Sequence, residues 1–102
     1  AKVISHCGSF TNVALSSSQG GHLYPDIVRR TARNDIKVFL QAGSNDADTI
    51  WGNWKIANEQ MAAALKFRNY DLNYVMGKGG HTLKHAGSIF PETMRWIWND
   101  RI

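Results

Sequence analysis

Two stretches of this chain carry an apolar run into a residue able to move a proton. Leu72-Asn73-Tyr74-Val75-Met76 leads to Gly79-Gly80-His81, and Lys37-Val38-Phe39-Leu40 leads to Gly43-Ser44-Asn45-Asp46. An imidazole works as a general base when a carboxylate holds its tautomer and stabilises the imidazolium that forms. Asp46 and His81 are therefore candidates for the acid and the base of a Ser-acid-His relay. In that chain order the serine comes first, on a tight turn that normally reads G-x-S-x-G. The nearest match is Ser16-Ser17-Ser18-Gln19-Gly20-Gly21, with Ser16 where a glycine usually stands. Ser18 is the candidate nucleophile, and Ser9, within Gly8-Ser9-Phe10, is a second candidate.

Each of these residues also has a plainer role open to it. Asp46 fits an Asn-Asp turn, His81 could cap a carbonyl from a loop, and the Ser/Gly run around Ser18 is also linker composition. Asp48 is a rival acid two positions on, and His85 is a rival base in the same glycine-rich segment as His81. His81-x-x-x-His85 has helical spacing for a pair of metal ligands. There is no H-E-x-x-H and no cysteine pair, so neither a metal nor a cofactor is expected. Trp51, Trp54, Trp96 and Trp98 read as packing residues, and Trp51 could line an acyl or aryl pocket beside the acid loop.

The elements that must position these groups alternate. Val3–Phe10 reads as a short strand that ends in Cys7-Gly8-Ser9-Phe10, followed by a polar loop to Gly21. His22–Arg33 reads as a helix with Leu23, Ile27 and Val28 on one side and Pro25 in its first turn. Ile36–Ala42 is nearly continuously apolar, as a parallel strand covered on both faces would be. A loop over Gly43–Gly52 follows. Asn53 is expected to cap a helix to about Asn69, with Ala57, Met61, Ala64 and Leu65 forming its apolar stripe. Asp71–Met76 is the next strand, Gly77–Gly87 a loop holding His81 and His85, and Pro91 the start of a last helix with Met94, Ile97 and Trp98 facing the core. The order β-α-β-α-β-α implies an α/β fold, a small parallel sheet with right-handed crossovers. Functional groups of such sheets gather beyond the carboxyl ends of the strands, which would bring Asp46 and His81 together.

Composition narrows the partners. The chain has 102 residues, 43% of them hydrophobic and 20% charged, which suits one soluble globular domain of modest core. The formal net charge of +4 is spread over scattered lysines and arginines with no stripe or module for nucleic acid. No run is long and apolar enough to span a membrane. The single cysteine, Cys7, excludes an internal disulfide and fits a reducing compartment, so the cytoplasm is favoured. The opening directly on a strand leads to the expectation of a removed leader or of the rear part of something longer.

With these motifs in view, the chain resembles the esterase D / enterochelin-esterase-like branch of the α/β-hydrolases, which includes feruloyl-esterase modules. The likeness runs over Val3–Asp100 and rests on Ser5-His6-Cys7-Gly8-Ser9-Phe10, Gly43-Ser44-Asn45-Asp46, Gly79-Gly80-His81 and Met94-Arg95-Trp96-Ile97-Trp98. It covers only the C-terminal half of that family's domain, about three parallel strands alternating with three helices. The resemblance implies Asp46 as triad acid, His81 as base, and small carboxylic esters as substrates. The family's own G-x-S-x-G turn lies upstream of the matching region, so the resemblance does not extend to Ser18. It implies either a miniature or truncated serine esterase or a non-catalytic remnant of a larger one. A sheet this small has open edges, so a homo-oligomer or strand-exchanged dimer burying Trp96 or Trp98 is expected.

Overall fold

A computed structural model describes residues 2–12 and 20–99. Ser18 lies outside the described residues. The chain forms an α/β domain around a three-stranded parallel sheet in the order β1-β2-β5, made of β1 (Lys2–His6), β2 (Lys37–Gly43) and β5 (Asp71–Gly77). Between them, β3 (Asp48–Thr49) and β4 (Gly52–Asn53) make a two-stranded antiparallel hairpin within the segment expected to be loop. The described residues also form three α-helices, α1 (Tyr24–Arg30), α2 (Trp54–Phe67) and α3 (Lys84–Ile97), with a turn of 3-10 helix over Gly21–Leu23 ahead of α1.

The central strand explains the layering. In β2 alternate side chains leave opposite faces. Val38 and Leu40 pack with Ala62 and Leu65 of α2, and Val28 of α1, Ile36 and Leu72 close around them. Phe39 leaves the other face and meets Trp96 of α3 at a ring separation of 6.0 Å. Phe39, Leu40 and Ala42 are almost wholly shielded from solvent, which accounts for the continuous apolar run.

Asn53 caps α2 as its sequence suggests: its side chain accepts a hydrogen bond from the Ile56 amide at 2.9 Å. Ala64 and Leu65 of the expected stripe are buried, with Met61 packed against the core. The first helix is shorter than expected, and Leu23 and Ile27 lie exposed; of its three apolar residues only Val28 reaches the core.

The last helix departs most. It begins at Lys84, not at Pro91, which sits in its interior. A proline in a helix clashes with the carbonyl four residues back and removes one hydrogen bond. Here that residue is Gly87, and the helix runs on through both. Ala86, Thr93 and Ile97 form the buried stripe that carries the helix through the proline. His85 is therefore a helix residue in the first turn. Trp98 is 65% exposed and does not face the core. The C-terminal end of α3 is held to β2 by Lys37, whose Nζ donates to the Trp96 and Asn99 carbonyls at 2.6 and 3.0 Å. A cation at that end also suits the helix dipole.

Leu40 is 1% exposed at the centre of the core. Leu40→Ala is expected to destabilise the domain by about 2–5 kcal/mol, read as a lower urea midpoint at unchanged m-value.

Candidate functional site

Parallel pairing places all three strand ends at one rim. His6 is opposite Gln41, and Gly43 is opposite Gly77, so the segments leaving β1, β2 and β5 emerge side by side. The two turns that bear Asp46 and His81 are then joined backbone to backbone. Ser44 N–H donates to the Gly77 carbonyl at 2.7 Å, and Asn45 N–H donates to the Gly79 carbonyl at 3.1 Å. The Asn45 side chain donates to the Lys78 carbonyl at 2.6 Å. Gly43 makes this approach possible, because a Cβ there would overlap the Gly79 carbonyl.

The outcome is a carboxylate–imidazole pair. Asp46 Oδ1 lies 2.9 Å from His81 Nδ1. Ala47 N–H donates to the same oxygen at 2.6 Å and fixes the carboxylate. An ionised carboxylate only accepts, so Nδ1 carries the proton of this contact, and in a neutral imidazole so held Nε2 keeps its lone pair. The Asp46 side chain is fully shielded while that of His81 is 49% exposed. The acid is thus sunk in the rim and the base stands at its mouth. Trp54 supports the imidazole in an edge-on contact at 6.0 Å between ring centroids.

The rivals are placed elsewhere. Asp48 is exposed on β3. His85 packs its ring on Gly77, and its Nδ1 sits 3.2 Å from Gln41 Nε2. With the Gln41 amide as donor, His85 Nδ1 is an acceptor and its own proton sits on Nε2. His85 therefore anchors a buried glutamine and does not share the acid. Ser9 Oγ accepts from Trp54 Nε1 at 3.0 Å, so this hydroxyl holds the indole beneath the base. Trp51, with Phe10, His22, Pro25 and Ile56, lines an open cleft of about 360 Å³.

The chain matches no family model, no curated protein and no solved structure.

Two residues of the rim escaped the sequence reading. Cys7 is buried, with a φ of 50° that side chains other than glycine seldom adopt. Its thiol donates to the Thr82 carbonyl at 3.2 Å and approaches Gln41 Oε1 at 3.5 Å. Burial, and then the Asp46 charge, push the Cys7 thiol above its ordinary range, while the contacts to Thr82 and Gln41 pull the other way. Gln41 links Cys7 to His85 from within an otherwise apolar strand. Both had a signal: a lone polar residue inside Val38-Phe39-Leu40-Gln41-Ala42, and a cysteine at the end of a strand parallel to the two that bear the acid and the base.

Gly43→Ala is expected to force the two turns apart. It should cost about 1–3 kcal/mol by overpacking and abolish the downfield Nδ1 proton resonance of the His81–Asp46 pair in NMR spectra.

Proposed function

We propose that the protein is an esterase-like hydrolase of small carboxylic esters, with His81 as general base and Asp46 as its orienting carboxylate. The observation that carries this reading is the 2.9 Å contact between His81 Nδ1 and a wholly buried carboxylate, with the His81 side chain half exposed. A buried, doubly hydrogen-bonded acid behind a half-exposed base is the arrangement a nucleophilic hydroxyl requires. His81 Nε2 takes the serine proton as Oγ attacks the ester carbonyl. The imidazolium returns that proton to the departing alkoxide, leaving an acyl-serine. Water, deprotonated by the same Nε2, then attacks the acyl group, and as the C–Oγ bond breaks the imidazolium returns its proton to the serine oxygen and the carboxylic acid leaves. Ser18 is the candidate nucleophile in the same chain; a serine from a partner chain is the other source.

The reading is tested with p-nitrophenyl acetate. His81→Ala is expected to lower kcat by about two to four orders of magnitude, with Asp46→Asn in the same range and Ser18→Ala abolishing the acyl-enzyme burst. Turnover unchanged by His81→Ala would overturn it. Turnover that needs His81 but not Ser18 would move the nucleophile to another serine.

A second reading, a non-catalytic remnant that self-associates, is favoured by the edges of the sheet. The β1 and β5 strands are both terminal in the order β1-β2-β5. Val3 and Ile4 of β1 are 43% and 38% exposed, near the exposed Trp98, whose ring lies 4.8 Å from Lys2 Nζ. Trp96 is engaged with Phe39 inside the chain, which leaves Trp98 as the tryptophan for an interface. On this reading the protein sediments as a dimer at micromolar concentration, and Trp98→Ser raises the dimer dissociation constant at least about tenfold. A monomer at that concentration would count against it.

A further inference from the structure

Cys7, Asp46 and His81 each bring one potential metal-ligand atom to within 4.8 Å of the other two. They arrive from the ends of three different strands, so this cluster has no spacing motif in the sequence. We propose that it binds a thiophilic divalent cation, zinc above all, through Cys7 Sγ, a carboxylate oxygen of Asp46 and a ring nitrogen of His81.

A second feature of the rim points the same way. Asp46 Oδ1 serves the Ala47 amide and the imidazole, but Oδ2 is buried and has no hydrogen-bond partner among the described residues. A carboxylate oxygen withdrawn from water without a donor is costly. A cation supplies what that oxygen lacks. The ligand chemistry also selects the ion. Thiolate and carboxylate together carry the two negative charges that balance a dication. A sulfur ligand favours zinc over calcium or magnesium, which take oxygen.

The distances are within reach. Zinc bonds of about 2.3 Å to sulfur and about 2.0–2.2 Å to nitrogen and oxygen set the ligand atoms about 3.3–3.6 Å apart in a tetrahedron. Closing from the present spacing takes small side-chain rotations, and the His81–Asp46 contact opens slightly as the ion enters between them. On binding, the Cys7 S–H bond breaks, its electron pair goes to the metal, and the proton goes to solvent. The half-exposed His81 marks the entry path and leaves the fourth position open to water. Loss of the thiol proton also ends the Cys7 S–H contacts to Gln41 Oε1 and the Thr82 carbonyl. The metal occupies the two groups that the proposed hydrolase needs, so the loaded and hydrolytic forms exclude one another; only this consequence rests on the esterase reading.

The test uses the full chain, reduced and freed of metal by a chelator, titrated with cobalt(II) as the probe. Cys7 is the only cysteine, so a sulfur-to-cobalt charge-transfer band can come from no other residue of the chain. The band is expected to saturate at one cobalt per chain and to vanish when zinc is added. His81→Ala and Asp46→Asn are each expected to weaken cobalt binding at least about tenfold. Absence of the band at millimolar cobalt would overturn the proposal, as would a band whose affinity survives both substitutions or that saturates at one cobalt per two chains. The His81 side chain is half exposed, so His81→Ala remains informative even if Asp46→Asn compromises folding. Ester turnover is measured separately on the metal-free chain: turnover there without a cobalt band refutes the metal site alone, and a metal-free chain that is inert but gives the band refutes the esterase alone.

Discussion

The turns after β2 and β5 approach so closely that a Cβ on Gly43 would overlap the Gly79 carbonyl, and this contact carries Asp46 to His81. Two main-chain hydrogen bonds and the Asn45 side chain hold it shut. The motifs Gly43-Ser44-Asn45-Asp46 and Gly79-Gly80-His81 thus form one structural unit divided between two strands. Gly43 provides the space, Ser44 and Asn45 provide donors, and Asp46 and His81 provide the chemistry. The parallel register that places Gly43 opposite Gly77 is the precondition for all of it.

The helices serve this unit unequally. The Trp54 amide donates to the Ala47 carbonyl at 2.9 Å, which fastens the start of α2 directly beneath the acid turn. From there the Trp54 indole reaches both Ser9 and the His81 ring. One buried aromatic therefore couples the segment after β1, the start of α2 and the base. Asn58, fully buried one turn later, donates to the Gly8 carbonyl at 2.9 Å and holds the same β1 segment from below. By contrast α1 buries no residue completely and adds little to the rim.

Periodicity and punctuation in the sequence were enough to place three strands, three helices and a parallel sheet, and the strand-end rule brought Asp46 and His81 together. The signal was strong there because glycines and polar turn residues interrupt apolar runs abruptly. It was weak around α3. Gly79, Gly80 and Gly87 read as one long loop, and Pro91 read as a helix start, yet Ala86, Thr93 and Ile97 supply a buried stripe that outweighs both. The same misreading put His85 in the loop, although its ring packs on Gly77 and its partner is Gln41. The hairpin of β3 and β4 was missed because each strand has two residues, too few for any alternation to register. The role of Cys7 was hidden for another reason: a single cysteine carries no spacing, and only the fold sets it beside Asp46.

Asp46 sits at the intersection of competing demands. Its carboxylate is shielded from water, yet the groups around it are an imidazole, a thiol and the Ala47 amide, with no lysine or arginine paired to it among the described residues. A charge in that position is stabilised by amide donors and by whatever positive charge forms nearby. In an acyl-transfer step that charge is the transient imidazolium on His81. In a metal complex it is the cation itself. Both states draw on the same unbalanced negative charge, and Oδ2, which has no donor among the described residues, is the atom through which the difference is felt. The Cys7 thiol makes the two cases separable. As a neutral group hydrogen-bonded to Thr82 it leaves Asp46 to the imidazole; as a thiolate it would add a second negative charge beside the carboxylate, which only a cation between them can offset.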